Sequence, residues 1–238
     1  MIIDATGLHF RDLNDKIRGG GESIRIEHCL GQRYILSGQK GKKVTIAGTP
    51  GNALGACLNG CDITVYGNAQ DAVGDTMNDG RIVVHGDAGD ALGYAMRGGR
   101  IFIRGSAGYR TGIHMKEYGD KKPAIVIGGG AGSFLGEYMA GGVILVLGLG
   151  LEGCPLGNFT ATGMHGGRIY VKKGQAPPHL DGRLTVGDAD EADLAVIRPL
   201  LDEYAAAFRV KAEPIRKAGF YAIKPDTDNP YKTLYAAN

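Results

Sequence analysis

Tryptophan is absent from this 238-residue chain, and six Phe with eleven Tyr are all that supply large rings. The absence of Trp counts against carbohydrate enzymes that stack sugars on indole platforms, as does the lack of a secretion signal. Cysteine is scarce too: Cys29, Cys57, Cys61 and Cys154 are too few to staple a chain of this length, which suits a reducing compartment. Neither sign of charge dominates, since 27 Lys and Arg oppose 25 Asp and Glu for a net +2. Electrostatic attraction to nucleic acid or an anionic membrane is therefore not expected. No stretch approaches the roughly 18 apolar residues that a membrane-crossing helix needs. Met1-Ile2-Ile3-Asp4 has no basic leader of the secretory kind. The expected address is the cytoplasm.

Glycine is abundant instead, at 41 residues, more than twice the usual share of about 7%. Its positions are periodic. Asp62-Ile-Thr-Val-Tyr-Gly67, Arg81-Ile-Val-Val-His-Gly86 and Arg100-Ile-Phe-Ile-Arg-Gly105 start 19 residues apart, and Gly55, Gly74, Gly93 and Gly112 keep the same step. The pattern returns at Ala124-Ile-Val-Ile-Gly-Gly129, Val143-Ile-Leu-Val-Leu-Gly148 and Arg168-Ile-Tyr-Val-Lys-Lys173. Two steps are longer, by 5 residues through Tyr118–Pro123 and by 6 through Leu149–Gly163. A fixed period means stacked units, and this one is too short for helix-pair repeats or propeller blades of roughly 33 to 50 residues. It fits one turn of a solenoid whose coils lie about 4.8 Å apart. Ile82, Val84, Ile101, Ile103, Ile125 and Ile127 are then inward ladders, and the glycines are corners. Parallel crossovers prefer a right-handed path, and the six-residue sub-period of left-handed hexapeptide helices is missing. The fold class is all-β, a right-handed parallel β-helix of about seven coils.

Three segments follow: 1–42, an N-terminal cap leading into the solenoid; 43–187, the β-helix; and 188–238, a C-terminal helix and extended tail. In the cap, Phe10, Leu13, Asn14 and Ile17 share one face of a short helix ended by Gly19-Gly20-Gly21. Ser23–Glu27 alternates as a half-buried strand. Gln175-Ala-Pro-Pro178 breaks the repeat, and Leu184–Gly187 is a candidate final strand. Asp188 or Asp190 can cap a helix with Leu194, Ile197, Leu201, Tyr204 and Phe208 on one stripe, which Pro199 should kink or split. Phe220–Asn238 lies along the solenoid or serves as an arm for a partner.

Several motifs mimic chemistry. Gly148-Leu-Gly150-Leu-Glu-Gly153 spells a dinucleotide fingerprint, but Pro155 and Gly157 follow where a helix is required. Gly128-Gly-Gly-Ala-Gly132 lacks the Lys-Ser/Thr pair of a phosphate loop. Both read as solenoid corners. Cys57 and Cys61 should meet near one corner as buried apolar thiols, with no second pair to complete a zinc or iron–sulfur site. His85, His114 and His165 fall on separate coils. Asp71, Asp75, Asp79, Asp87 and Asp90 recur in successive turns; calcium is one reading and backbone capping of turns the simpler one. No nucleophile–base pair emerges, so no catalytic, cofactor-binding or metal residue is assigned. The inserts Tyr118–Pro123 and Leu149–Gly163 are candidate docking surface.

The repeats Gly86-Asp-Ala-Gly-Asp-Ala-Leu-Gly-Tyr-Ala-Met-Arg-Gly-Gly99 and Gly129-Gly-Ala-Gly-Ser-Phe-Leu-Gly-Glu-Tyr-Met-Ala-Gly-Gly142 resemble the GXGXG domain, the β-helix that closes the large subunit of glutamate synthase. The leader Ile3–Asn14 with Gly31–Ile35, the segment Asp193–Tyr204 and the ending Ile223-Lys-Pro…Asn229-Pro-Tyr231 resemble its free-standing form. The resemblance implies a scaffold without activity of its own, in a complex that aminates 2-oxoglutarate with glutamine. Its partners would be glutaminase-type and FMN-binding synthase-type subunits, with FMN and the iron–sulfur cluster in a partner and no cofactor in this chain. The glutaminase nucleophile of that family is an N-terminal cysteine, where this chain has Met1-Ile2. Self-association is possible on the same reading. The domain also resembles the β-helix subunit of formylmethanofuran dehydrogenase, its counterpart in formyltransferase/hydrolase complexes, and a subunit of N-methylglutamate synthase. A β-helix carbohydrate-active enzyme is the remaining alternative.

Overall fold

The structure, a computed structural model, describes residues 1–174, 180 and 184–226. One eleven-stranded sheet carries the repeats. Its strands are β1 (Ile2–Asp4), β2 (Ser23–Leu30), β3 (Lys43–Thr49), β4 (Asn59–Tyr66), β5 (Asp79–Val84), β6 (Arg100–Ile103), β7 (Ala124–Ile127), β8 (Ala140–Val146), β9 (Gly166–Lys172), β10 (Leu184–Asp188) and β11 (Phe220–Pro225). From β1 to β9 each strand pairs in parallel with the next, so the chain is a parallel β-helix with one strand per turn. The repeats count about seven coils; the solenoid has about eight, because Ser23–Leu30 joins the parallel ladder. The helices are α1 (Phe10–Gly19), α2 (Glu191–Phe208) and α3 (Ala212–Ala218).

The register places Ile63, Ile82, Ile101, Ile125, Ile144 and Ile169 in one inward column, and Val65, Val84, Ile103, Ile127, Val146 and Val171 in the next. All of them are buried. The other sides of each turn are held by single bridges such as Ala69 to Ala88 to Ala107 to Ala131, and by bonds such as Gly93 N–H to Val73 C=O. A further column of buried sulfur runs Met77, Met96, Met115, Met139 and Met164.

The two ends are closed differently. At the first turn α1 lays Leu13 and Ile17 on the interior column; it ends at Gly20 within the glycine run that the sequence marks as its stop, and His9 is its N-cap. At the last turn the chain reverses: β11 pairs antiparallel with β9, and β10 antiparallel with β11. Leu184–Gly187 is thus a strand, though one paired antiparallel with β11 rather than a rung of the parallel solenoid. Ile223 joins the interior there, and Leu184 and Val186 pack against it. Gln175–Pro178 and the tail beyond Asp226 lie outside the described residues.

The outward column decides where the C-terminal helix goes. It reads Arg25, Thr45 and Thr64 in the first turns, then Val83, Phe102, Val126, Leu145 and Tyr170. The latter five form a second apolar cluster with Ile197, Leu200, Leu201, Tyr204 and Phe208 of α2. Eighteen residues of helix span about 27 Å, enough to cross five strands at about 4.8 Å spacing. The helix runs against the stacking direction: Asp193 near its start meets Tyr170 of β9, while Phe208 at its end meets His85 just after β5. Strands buried on both faces read as continuous apolar runs, and Ala124–Ile127 is buried at every position. Asp190 caps α2 in a reciprocal capping box with Asp193, and Pro199 does not split it: the helix is continuous from Glu191 to Phe208.

Candidate functional site

The glycine-rich corners form the most regular feature of the surface. Asn68 Oδ1 accepts the Asp87 N–H at 2.9 Å, and Asp87 Oδ1 accepts the Ser106 N–H at 2.7 Å. Ser106 Oγ in turn accepts the Gly130 N–H at 3.1 Å. A second column is parallel to it: Asp71 Oδ1 takes the Asp90 N–H at 2.9 Å, and Asp90 Oδ1 takes the Tyr109 N–H at 2.8 Å. Each carboxylate therefore binds the backbone one coil further on. The glycines make room for it, since a Cβ at Gly86, Gly89, Gly105 or Gly108 would overlap the Oδ1 of Asn68, Asp71, Asp87 or Asp90 respectively. Their backbone is not left-handed, so space rather than φ demands glycine here. Asp71, Asp87 and Asp90 are thus corner fasteners; Asp79 instead pairs with Lys121 at 3.0 Å.

This arrangement gives a stability prediction. Asp87→Ala should lower stability by about 1 kcal/mol, the worth of one such bond. Gly105→Ala should cost ~1–2 kcal/mol because its methyl displaces the Asp87 carboxylate. Combined, the two should cost clearly less than their sum, read as urea midpoints.

The second ordered polar cluster fastens α2. Asp193 is 2% exposed. Its carboxylate accepts the Tyr170 O–H at 2.9 Å and Lys224 Nζ at 2.7 Å, and Oδ2 also accepts the Asp190 N–H at 3.2 Å. Arg168 Nε stands 3.8 Å away. Burial works against the charge, but Lys224, Tyr170 and the Asp190 N–H outweigh it and hold the carboxyl below its ordinary range. Burial, with Asp193 as acceptor and neighbouring charge, raises the Tyr170 phenol well above its usual value. At the other end of α2, the Tyr204 O–H donates to the Arg104 carbonyl at 3.3 Å and Arg100 pairs with Glu203. Burial pushes the Tyr204 phenol up to about 12.

The motifs that mimic chemistry are placed as follows. Gly148 and Gly150 lie in a turn with φ near +59° and +76°, and the chain beyond them runs through bends to the next coil without a helix. At Gly128 a Cβ would overlap the Tyr204 hydroxyl and the Arg104 carbonyl, so glycine there makes room for the contact of α2 with the solenoid. The expectation that Cys57 and Cys61 are both buried holds for Cys61 only; Cys57, at a corner with φ +54°, is exposed. Burial pushes the Cys29 thiol up to about 11 and raises that of Cys61, so neither is a ready thiolate. Among the described residues, no group of three His, Cys, Asp or Glu could hold a metal ion. His85 stacks on Tyr66 at 4.5 Å, and burial with Arg104 and Arg209 nearby keeps its imidazole below the ordinary value. His114 stacks on Tyr138 at 5.3 Å, and His165 Nδ1 lies 3.1 Å from the Gly163 carbonyl. The insert at Tyr118 folds back on the solenoid, with Lys121 Nζ on Asp79 and on the Asn78 carbonyl. The second insert borders a small cavity of about 210 Å³ with Val171, Lys172 and Tyr221.

The fastening residues Tyr170, Asp193 and Lys224 were not legible as a group. Only the acidic pair Asp190 and Asp193 at capping-box spacing offered a signal.

Comparison with known proteins is consistent with this geometry. The family model described as "GXGXG motif" matches residues 21–215. A Methanocaldococcus jannaschii protein described as uncharacterized is 40% identical over 250 aligned positions, covering 99% of this chain and 96% of that protein. A chain of the formyltransferase/hydrolase complex (FhcABCD) from Methylorubrum extorquens, solved in complex with methylofuran, superposes with a TM-score of 0.61. The match spans 82% of this chain and 71% of that chain at 22% identity, a likeness of fold. No helix among the described residues is long and apolar enough to cross a membrane.

Proposed function

From the premise that this chain belongs to the GXGXG-motif family, we propose that it is a non-catalytic scaffold subunit of a multi-subunit enzyme complex handling formyl groups. The observation that carries the reading is the likeness to a chain of a formyltransferase/hydrolase complex, over most of both chains. The side chains agree with a scaffold. The aligned carboxylates are committed to backbone N–H groups of the next coil, and the buried ionisable cluster at Asp193 holds a helix in place. Stacked coils joined by coil-to-coil backbone bonds and, at several corners, by side-chain caps make a stiff rod, suited to holding catalytic subunits at fixed spacing.

A second reading is the glutamate-synthase-type scaffold, between glutaminase and FMN/iron–sulfur subunits. It rests on the leader Ile3–Asn14 and the ending at Asn229-Pro-Tyr231, whereas the structural likeness supports the formyl-transfer reading. The same scaffold logic applies to either, with the chemistry, and in the second case the flavin and cluster, residing in partners.

The test is a comparison of the purified assembly with and without this chain. Formate release from a formylated furan cofactor of the methylofuran type should fall at least tenfold when the chain is omitted. The chain alone should release none. Turnover by the chain alone contradicts the proposal, and so does full activity of the partners without it.

A further inference from the structure

The turn opposite the main sheet contains two columns of left-handed residues that are not glycine. One runs Ala53, Ala72, Ala91, Arg110, Phe134 and Phe159; the other runs Cys57, Thr76, Ala95, His114 and Tyr138, all with φ between 48° and 63°. Their conformation has a backbone cause. Ala53, Ala72, Ala91, Arg110 and Phe134 donate N–H forward to the next coil, at the carbonyls of Asp71, Asp90, Tyr109, Ser133 and Asn158. A small residue suffices for that bond, as Ala53, Ala72 and Ala91 show, although the column opens on Tyr34 at φ +59°, which donates to the Asn52 carbonyl in the same way. In the last coils the same positions carry Arg, Phe and Tyr, although bulky side chains are the least suited to a left-handed backbone.

Those side chains do not enter the core. Phe134 stacks on Phe159 at 5.0 Å, and the Arg110 guanidinium lies 5.0 Å over the Phe134 ring. Tyr94 meets His114 edge-on at 6.0 Å, and His114 stacks on Tyr138. The two rows are joined by Arg110 Nε on Glu137 Oε2 at 3.1 Å. The Tyr138 ring is within 2.5 Å of where a Cβ on Gly163 would stand, so glycine there lets the ring lie flat. Phe159 nevertheless remains 66% exposed, Tyr94 40% and Tyr138 39%. Rings placed at backbone cost, ordered by one another and left in solvent, are what a protein interface presents as anchors.

We infer that this aromatic face, centred on Phe134, Tyr138 and Phe159, is where a partner protein subunit of the complex docks, through an apolar, uncharged patch of its own. The inference rests on the proposed role as a complex subunit. Charge chooses the occupant. The ion pair within the face, Arg110 with Glu137, is neutral as a unit, so nothing there attracts a polyanion such as RNA or an acidic lipid surface. Aromatic rings with arginine and little net charge are the composition of protein interface cores.

The test uses the native complex purified through a tag on this chain, footprinted with hydroxyl radicals beside the free chain. Tyr94, Tyr138, Phe134 and Phe159 should lose at least fivefold in labelling in the complex. The double variant Phe134→Ala, Phe159→Ala should weaken partner retention tenfold or more at unchanged melting temperature, because alanine already fills this column three times. A complex in which the face labels as in the free chain, or in which the variant retains its partner, overturns the inference. Protection of the face in a homodimer of the free chain overturns it in favour of a second copy. A chain that purifies with no partner refutes the subunit role itself, a different failure, since no complex then exists to footprint.

Discussion

Gly93→Ala should destabilise the solenoid by about 3 kcal/mol, the sum of left-handed strain and overpacking of a filled core. Gly93 has φ +66°, and a Cβ there would stand 2.5 Å from Ile125 Cδ1. The relation repeats: Gly74 faces Ile101, Gly112 faces Ile144 and Gly136 faces Ile169. Leu36 and Ala161 occupy the same glycine register in the first and last turns at φ +61° and +62°. The left-handed backbone alone is therefore survivable, and overlap with isoleucine is the larger share in the middle. Ile125→Val removes Cδ1 and should cost about 1 kcal/mol by itself. In the double variant it makes room for the new methyl, so the combined loss should fall short of the sum by ~1 kcal/mol or more. Chemical denaturation of the four proteins measures this cycle; strict additivity would mean that the overlap is relieved elsewhere.

Asp193→Ala should cost about 3 kcal/mol, because it strands the buried Tyr170 hydroxyl and opens the capping box of α2, while Lys224 keeps only its longer contact to Asp190 at 3.6 Å. The pH dependence gives the signature. The folded pKa of Asp193 lies below its ordinary value, so its contribution is complete above about pH 4 and is lost as pH falls through the lower folded value. Wild type should lose stability on acidification below that point, and the variant should lack that share of the slope. At the other extreme Tyr170 and Tyr204 are raised above their ordinary values, Tyr204 to about 12. Their contribution is complete below about pH 10 and disappears as pH climbs through the folded values. Stripping of α2 from the solenoid should therefore begin in strong alkali, visible as rising tyrosinate absorbance together with loss of near-ultraviolet ellipticity. An acid limb identical in wild type and Asp193→Ala would exclude this role for the carboxylate.

The coils were legible because period, glycine spacing and apolar alternation all point the same way. Ile82, Ile101 and Ile125 are in the sequence what they are in the fold, successive rungs. The outer cover was less legible. Val83, Phe102, Val126, Leu145 and Tyr170 sit in plain sight as the alternate residues of apolar strands, but what buries them lies far along the chain in α2. Tyr170 and Asp193 are 23 residues apart and Asp193 and Lys224 31, so neither spacing nor periodicity links them. The left-handed columns were invisible for a different reason. Local preference argues against Arg110, Phe134 or Tyr138 at positive φ, and only coil-to-coil hydrogen bonding imposes it. Pro199 similarly should break a helix, yet packing on five strands keeps α2 continuous. The capping role of the aspartates in the turns was the simpler reading and is what the corners use; that each cap reaches the following coil, and that the next glycine is shaped around it, needed the structure.

The most direct measurement of the central claim is the native mass and subunit composition of the assembly isolated at low salt through a tag on this chain. A scaffold predicts a particle several times the 25.0 kDa of the chain, with this protein in fixed stoichiometry to subunits that turn over formyl groups. A bare 25.0 kDa monomer with formyl-transfer or hydrolytic activity of its own would contradict it.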